Sequence, residues 1–351
     1  MSKGTSSKEP VLDARFSKWE TIDFPARSGD PLSKRQAVWD MPNLTGKLLA
    51  RFLFLSQFMA LTACTLPNQH PDYTGLPEGT KASTFTCCED PDRQPDWFAG
   101  LALALSEPLA PLFNAESGSG LLAAHPAAIE RVVDKARPLD LLVFSSKSHL
   151  SSRMLPGWFT HSAVYIGTEA QLRAIGLWSH PSIKPYHEAI RAGANVVEGV
   201  SPNVSFSALS DVLGQRDAAL LIRPEINVAQ KQTVAARALR LVGRPFDHAY
   251  DLNTCDSFAC SEVLARSFPC LEFPVRDVQG STVLLPDDVA AKAIRGEDLR
   301  IVDYVEGRGE QWAAPGVTGA MERVAGFWGP TPIGPIAQVS SSHALPTCSV
   351  L

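Results

Sequence analysis

The 351-residue chain has no excess of positive charge: 32 Lys and Arg stand against 37 Asp and Glu, a formal net charge of -5. No basic field therefore draws it to nucleic acid. It contains no Cys-x-x-Cys and no paired Cys/His spacing of the zinc type. A structural metal site thus lacks its ligand pattern, and no motif calls for a cofactor. The apolar run Phe52 to Leu61 falls well short of the about 20 residues that a bilayer-crossing helix needs. With 45% hydrophobic and 20% charged residues, the composition excludes a wholly disordered chain, a collagen and a multi-span membrane protein. What is abundant is Pro, at 27, and Gly, at 24, crowded toward the two ends. This distribution predicts one sizeable domain between looser flanks.

Residues 1–40 are polar and form a leader, untranslated if the start is Met41. Lys47 and Arg51 then precede the apolar run Phe52 to Leu61, which has signal-peptide length. It ends in Leu61-Thr62-Ala63-Cys64, which resembles a bacterial lipobox. Small residues suit the peptidase, and a thiol is needed to carry the diacylglyceryl group. The resemblance implies a lipoprotein signal over 41–63 and lipidation of Cys64. Thr65 in place of an aspartate implies the outer membrane, facing the periplasm. A buried helix ending in an incidental cysteine is the plainer alternative. Residues 64–133 are expected to be a linker and N-terminal extension. Within them the apolar stretch Trp97 to Phe113, broken by Pro108 and Pro111, packs on the domain or lies at a lipid surface.

Cys64 aside, six cysteines remain, and an exported chain could hold them as disulfides. Spacing leaves open how Cys87, Cys88, Cys255, Cys270 and Cys348 pair.

From about Pro138 the pattern becomes short apolar strands: Leu139 to Phe144, His161 to Gly167, Ala194 to Val200 and Ala218 to Arg223. A helix is expected over Val228 to Val242, with Gly243 closing it. Gly243-Arg244-Pro245-Phe246-Asp247 reads as a turn. A second helix begins near Asp256-Ser257, with either as N-cap, and runs through Cys260 to Phe268. This order predicts an α+β domain with an antiparallel sheet packed on helices. Cys260 in the first turn would meet the helix dipole and unpaired backbone N–H groups, which stabilise a thiolate. Glu262, about 200° round the helix, should point away from the thiol and be structural. His149, His180, His187 and His248 show no ligand spacing.

The run Phe159-Thr160-His161-Ser162-Ala163-Val164-Tyr165-Ile166-Gly167, then Val196-Val197-Glu198-Gly199, then Gly243 to Asp247, then Ala259-Cys260-Ser261-Glu262-Val263-Leu264, with Leu285-Pro286-Asp287-Asp288-Val289 after them, resembles the YaeF/YiiX-like permuted papain-fold cysteine hydrolases, relatives of the NlpC-type cell-wall peptidases. In that family the histidine strand precedes the cysteine helix, as it does in this chain. The resemblance covers about 138–305 and implies a circularly permuted papain-like domain over 134–305. It implies Cys260 as nucleophile, His161 as general base, and Glu198 as the residue that orients the histidine. Trp178 to His187 looks like an insertion over the site. Residues 306–351 are expected to be a tail or arm, with one helical candidate near Ala320 to Phe327.

The expectation is a lipid-anchored hydrolase of the bacterial envelope, forming an acyl-thioester on Cys260 during cleavage of a peptidoglycan stem-peptide amide. Two alternatives stand beside it: a lipid acyl-hydrolase or acyltransferase with the same Cys-His site, and a non-catalytic binding module.

Overall fold

A computed structural model describes residues 76, 80–85, 87–88, 118–146, 157–278, 281–328 and 348. The leader, the expected signal segment with Cys64, and the Trp97 to Phe113 stretch lie outside the described residues. Among the described residues no helix is long and apolar enough to cross a membrane.

The elements follow in the order α1 (Pro126–Lys135), β1 (Leu141–Ser145), β2 (His161–Tyr165), α2 (Glu169–Ala174), α3 (His187–Arg191), β3 (Val196–Gly199), β4 (Val204–Ser207), α4 (Leu209–Gly214), β5 (Ala218–Pro224), α5 (Val228–Leu241), α6 (Cys260–Ser267), β6 (Arg276–Val278), β7 (Ser281–Val283), α7 (Pro286–Arg295), β8 (Leu299–Arg308), β9 (Gln311–Ala313) and α8 (Gly316–Trp328). Seven strands form one sheet in the order β4-β3-β2-β1-β5-β8-β9. Every neighbouring pair in it is antiparallel. β6 and β7 form a separate hairpin. The fold is α+β, with the sheet between two layers of helices.

Alternation along the strands builds the two layers. Leu141, Val143, Val164, Val197, Leu220 and Ile222 join one core cluster, with residues of α5, α6, α7 and α8. Leu142, Phe144, Ala163, Tyr165, Val196 and Leu221 join a second cluster, with residues of α1 and α4. All five residues of β1 are buried, which is why it reads as a continuous apolar run rather than an alternation. Each large side chain buried there stabilises the fold by about 2 kcal/mol.

Three boundaries differ from expectation. The cysteine helix starts at Cys260, with Ala259, extended at φ -75° and ψ 171°, as its N-cap. Asp256 lies in a bend upstream and Ser257 in the irregular segment that follows it. The amide of Phe258 donates to the Pro245 carbonyl at 2.9 Å, which holds the approach extended and delays the helix. The expected domain end at 305 falls inside β8, which continues to Arg308 and pairs with β9. Gly307 is no breaker there: a Cβ would lie 2.7 Å from that of Leu121, so its small size lets the Leu121–Ala124 turn close on the sheet. α8 then buries Ala320, Met321, Val324, Ala325 and Phe327, so that residues 316–328 are part of the core rather than a tail. At the other end, the stretch read as linker places Phe85 and Cys88 in the core, where the Arg295 guanidinium donates to the Phe85 carbonyl at 3.3 Å.

Trp178 to His187 belong to the connection between β2 and β3, which leaves β2 after Tyr165 and returns at Val196, whereas His161 opens that strand. The points of attachment are about 13 Å along the strand from His161. Within the connection the rings of Trp178 and His187 stack at 3.7 Å, with the Arg173 and Arg191 guanidinium groups 5.1 and 5.2 Å from the Trp178 ring. Tyr186 packs edge-on against Phe206, which lines a cavity with Glu198. Among the described residues two disulfides are formed, Cys87–Cys88 and Cys255–Cys348, while Cys260 and Cys270 are free thiols.

Candidate active site

Strand register brings the first two site residues together. His161 pairs with Phe144 on β1, and Glu198 pairs with Ala163, two residues further along β2. Side chains at alternate positions share a face, so His161 and Glu198 are diagonal neighbours across one pair of strands. The Nε2 of His161 lies 2.8 Å from Oε2 of Glu198. The ring also stacks on Phe144 at 5.9 Å between centroids and 25° between planes.

The thiol comes from α6. Cys260 is its first residue, where the helix leaves N–H groups unpaired and its dipole favours negative charge. The approach of this helix end to the sheet depends on Gly199. A Cβ there would lie 2.7 Å from the Ala259 carbonyl carbon and 2.7 Å from the Cys260 nitrogen. Cys260 and His161 lie close enough for each to act on the other's ionisation, while Nε2 of the ring is engaged by Glu198. Cys260, His161 and Glu198 are 4%, 8% and 5% exposed, so the chain of three groups works in low dielectric, where charge interactions are strong.

Charges in the site support one another. Burial opposes ionisation of Cys260, but the His161 imidazolium and neighbouring Ser162 outweigh it and lower the thiol below its ordinary value. Burial and the nearby Arg216 charge oppose protonation of His161, yet the Cys260 thiolate and the Glu198 hydrogen bond raise it overall. Burial would raise Glu198, but His161, Arg216 and Ser207 hold it below the usual carboxylate range. The arrangement favours a thiolate–imidazolium pair backed by a carboxylate, which is an activated nucleophile with an oriented acid–base partner.

Two further residues shape this site. Arg216, between α4 and β5, donates to Glu198 Oε2 at 3.1 Å. Its surroundings in sequence, Gln215-Arg216-Asp217, read as a solvated turn, so no local signal marks it. Asp287 in the first turn of α7 is 0% exposed and accepts from the amides of Trp158 and Phe159 and from Nε1 of Trp328, each at 2.7 Å. It anchors the chain just before His161. Asp287 stands in the Leu285 to Val289 motif, which signals its presence without its task.

A cavity of about 500 Å³ is lined by Ala192, Glu198, Phe206, Ser207, Asp211 and Gln215 among others. Neither Cys260 nor His161 lines it, so it is not the cleft in which the thiol would meet a substrate. Among the described residues, the one grouping of metal-type ligands is Cys87, Cys88 and Asp288. Its sulfurs are bonded to each other and its carboxylate is paired with Arg276, so this set does not fit a metal ion.

The sequence profile of a family described as permuted papain-like amidase enzymes, YaeF/YiiX, C92 family, matches residues 137–320. No curated protein and no solved structure matches the chain. The profile spans more than half of the 351 residues and takes in β2, β3 and α6, with the histidine strand ahead of the cysteine helix. The chain accordingly belongs to the permuted papain-like amidases of the YaeF/YiiX, C92 family, a family of cysteine-type peptidases and amidases with an α+β fold.

Proposed function

We propose that the protein hydrolyses an amide through an acyl-thioester on Cys260, with His161 as general acid and base and Glu198 holding the imidazole. The observation that carries this reading is the buried pairing of Cys260, at the start of α6, with a histidine whose Nε2 is 2.8 Å from a carboxylate. The Cys260 sulfur attacks the carbonyl carbon. Oxyanion charge falls toward the unpaired N–H groups at the α6 N-terminus. The imidazolium Nδ1–H passes its proton to the departing amine nitrogen as the C–N bond breaks. Neutral imidazole then takes a proton from water, whose oxygen attacks the thioester, and the thiolate leaves to re-form the ion pair. Glu198 keeps the ring in place and stabilises its charge without taking the proton.

The substrate in this reading is a peptidoglycan stem-peptide amide, and the site of action is the bacterial envelope, with the chain anchored by lipid on Cys64. Support comes from the likeness to NlpC-type cell-wall peptidases, from the lipobox-like Leu61-Thr62-Ala63-Cys64, and from two disulfides of the kind that persist in oxidising compartments. The test incubates the protein and its Cys260→Ala variant with purified sacculi and, separately, with envelope phospholipids, with products read by mass spectrometry. Stem-peptide fragments lost in the variant are the expected result, with a fall of at least about a thousandfold. Free fatty acid or lysolipid instead would move the protein to the lipid acyl-hydrolases. No product from either would leave a binding module.

A further inference from the structure

Arg216 lies outside every motif that points to the site, yet its side chain is only 10% exposed and ends against the site carboxylate. Nη2 donates to Glu198 Oε2 at 3.1 Å, the same oxygen that contacts His161 Nε2 at 2.8 Å. Nη1 donates to the Ser146 hydroxyl at 3.3 Å. The guanidinium carbon is 5.4 Å from the centre of the Phe144 ring, on which His161 also stacks. Imidazole, carboxylate, guanidinium and phenyl ring therefore form a closed circuit. The backbone is held as firmly: the Arg216 amide donates to Leu213 and its carbonyl accepts from Leu122, each at 3.0 Å. Gly120 approaches so closely that a Cβ would lie 2.3 Å from the Arg216 backbone.

With a thiolate, an imidazolium and a carboxylate enclosed together, the site would carry a net negative charge in low dielectric, which is costly. A guanidinium is always protonated and makes the buried set neutral. It also donates to the Glu198 oxygen that faces His161, which weakens the pull of that oxygen on the imidazolium proton.

Resting on the hydrolase reading above, we propose that Arg216 is a positioning residue, which fixes Glu198 and restrains the basicity of His161 so that the imidazolium gives its proton to the leaving group. The groups facing His161 are Cys260, Glu198 and Arg216. Removing Arg216 takes away the one positive charge among them, so the His161 titration must move to higher pH.

The experiment follows the His161 ring by NMR of histidine-labelled protein across pH, in wild type and in Arg216→Met, with hydrolysis of a released stem peptide measured alongside. The expected result is a higher His161 midpoint in Arg216→Met, a basic limb of kcat/KM moved the same way, and kcat lower by about ten- to a hundredfold with KM unchanged. An unmoved midpoint overturns the proposal. Should Arg216→Met fail to fold, Arg216→Lys keeps the charge but lacks the two-pronged grip on Glu198 and Ser146. It is expected to keep the midpoint and lower kcat, and an unchanged kcat in this variant overturns the proposal. A wild-type chain that cleaves no peptide, with a midpoint that still moves on loss of Arg216, would sink the hydrolase reading alone.

Discussion

Glu262 offers a test of how this fold controls ionisation. It is the third residue of α6, two beyond the thiol, and 1% exposed. Oε2 accepts from the Ala259 amide, while Oε1 has no hydrogen-bond partner among the described residues. Burial, and after it the Asp247 carboxylate, push the carboxyl up to about 9, against the pull of the Ala259 amide and Arg266. An ordinary glutamate titrates near 4.3, so the folded state holds a proton that the unfolded chain releases. The sign follows: this contribution is fully present below about pH 4.3 and is lost progressively as pH rises toward 9. At 1.36 kcal/mol per unit, the loss amounts to about 1 kcal/mol at pH 5 and about 3–4 kcal/mol at pH 7. Glu262→Gln is the neutral isostere and still offers an oxygen to Ala259. Urea denaturation of both proteins across pH 5 to 8 should show the variant gaining stability over wild type as pH rises, by about those amounts. Two curves that stay parallel would refute the reasoning, because a Glu262 that is ionised in the fold has no proton to lose. The acid limb of kcat/KM should be unchanged, since the neutral carboxyl already adds no charge beside Cys260.

Two more substitutions bear on the site. Because Cys260 is lowered and His161 raised, kcat/KM should be bell-shaped, with an acid limb below the ordinary thiol value and a basic limb above the ordinary imidazole value. Glu198→Gln should bring the basic limb down and reduce kcat by about a hundredfold or more in a pH-rate series. A Gly199→Ala variant should push the start of α6 away from the sheet, destabilise the fold by about 1–3 kcal/mol in denaturation, and slow alkylation of Cys260; alkylation as fast as in wild type would show that the close approach is not needed.

Much of the architecture was legible because it is written in local pattern. The buried strands β1, β2, β3 and β5 and the helix α5 fall where apolar runs and helical spacing place them. Of the residues picked out by order and motif, His161 contacts Glu198 and is electrostatically coupled to Cys260. The failures have physical causes. Asp256 and Ser257 are good cap residues, but the Phe258 amide is tied to Pro245 and the helix starts later. Glycines near 307 read as a tail, although one of them is the gap into which Leu121 fits.

The sequence by itself determined the class of fold, the order of histidine strand and cysteine helix, and the three residues that meet. These depend on side-chain period and on short motifs, each contained within a few residues. Only the tertiary structure decided which charges those residues feel. Arg216 reaches Glu198 from the turn before β5, Asp287 grips the chain ahead of His161 from α7, and Asp247 faces Glu262 from the preceding loop. The ionisation of a buried group is set by whatever packs against it, and those partners come from distant segments whose local sequence carries no mark of the meeting.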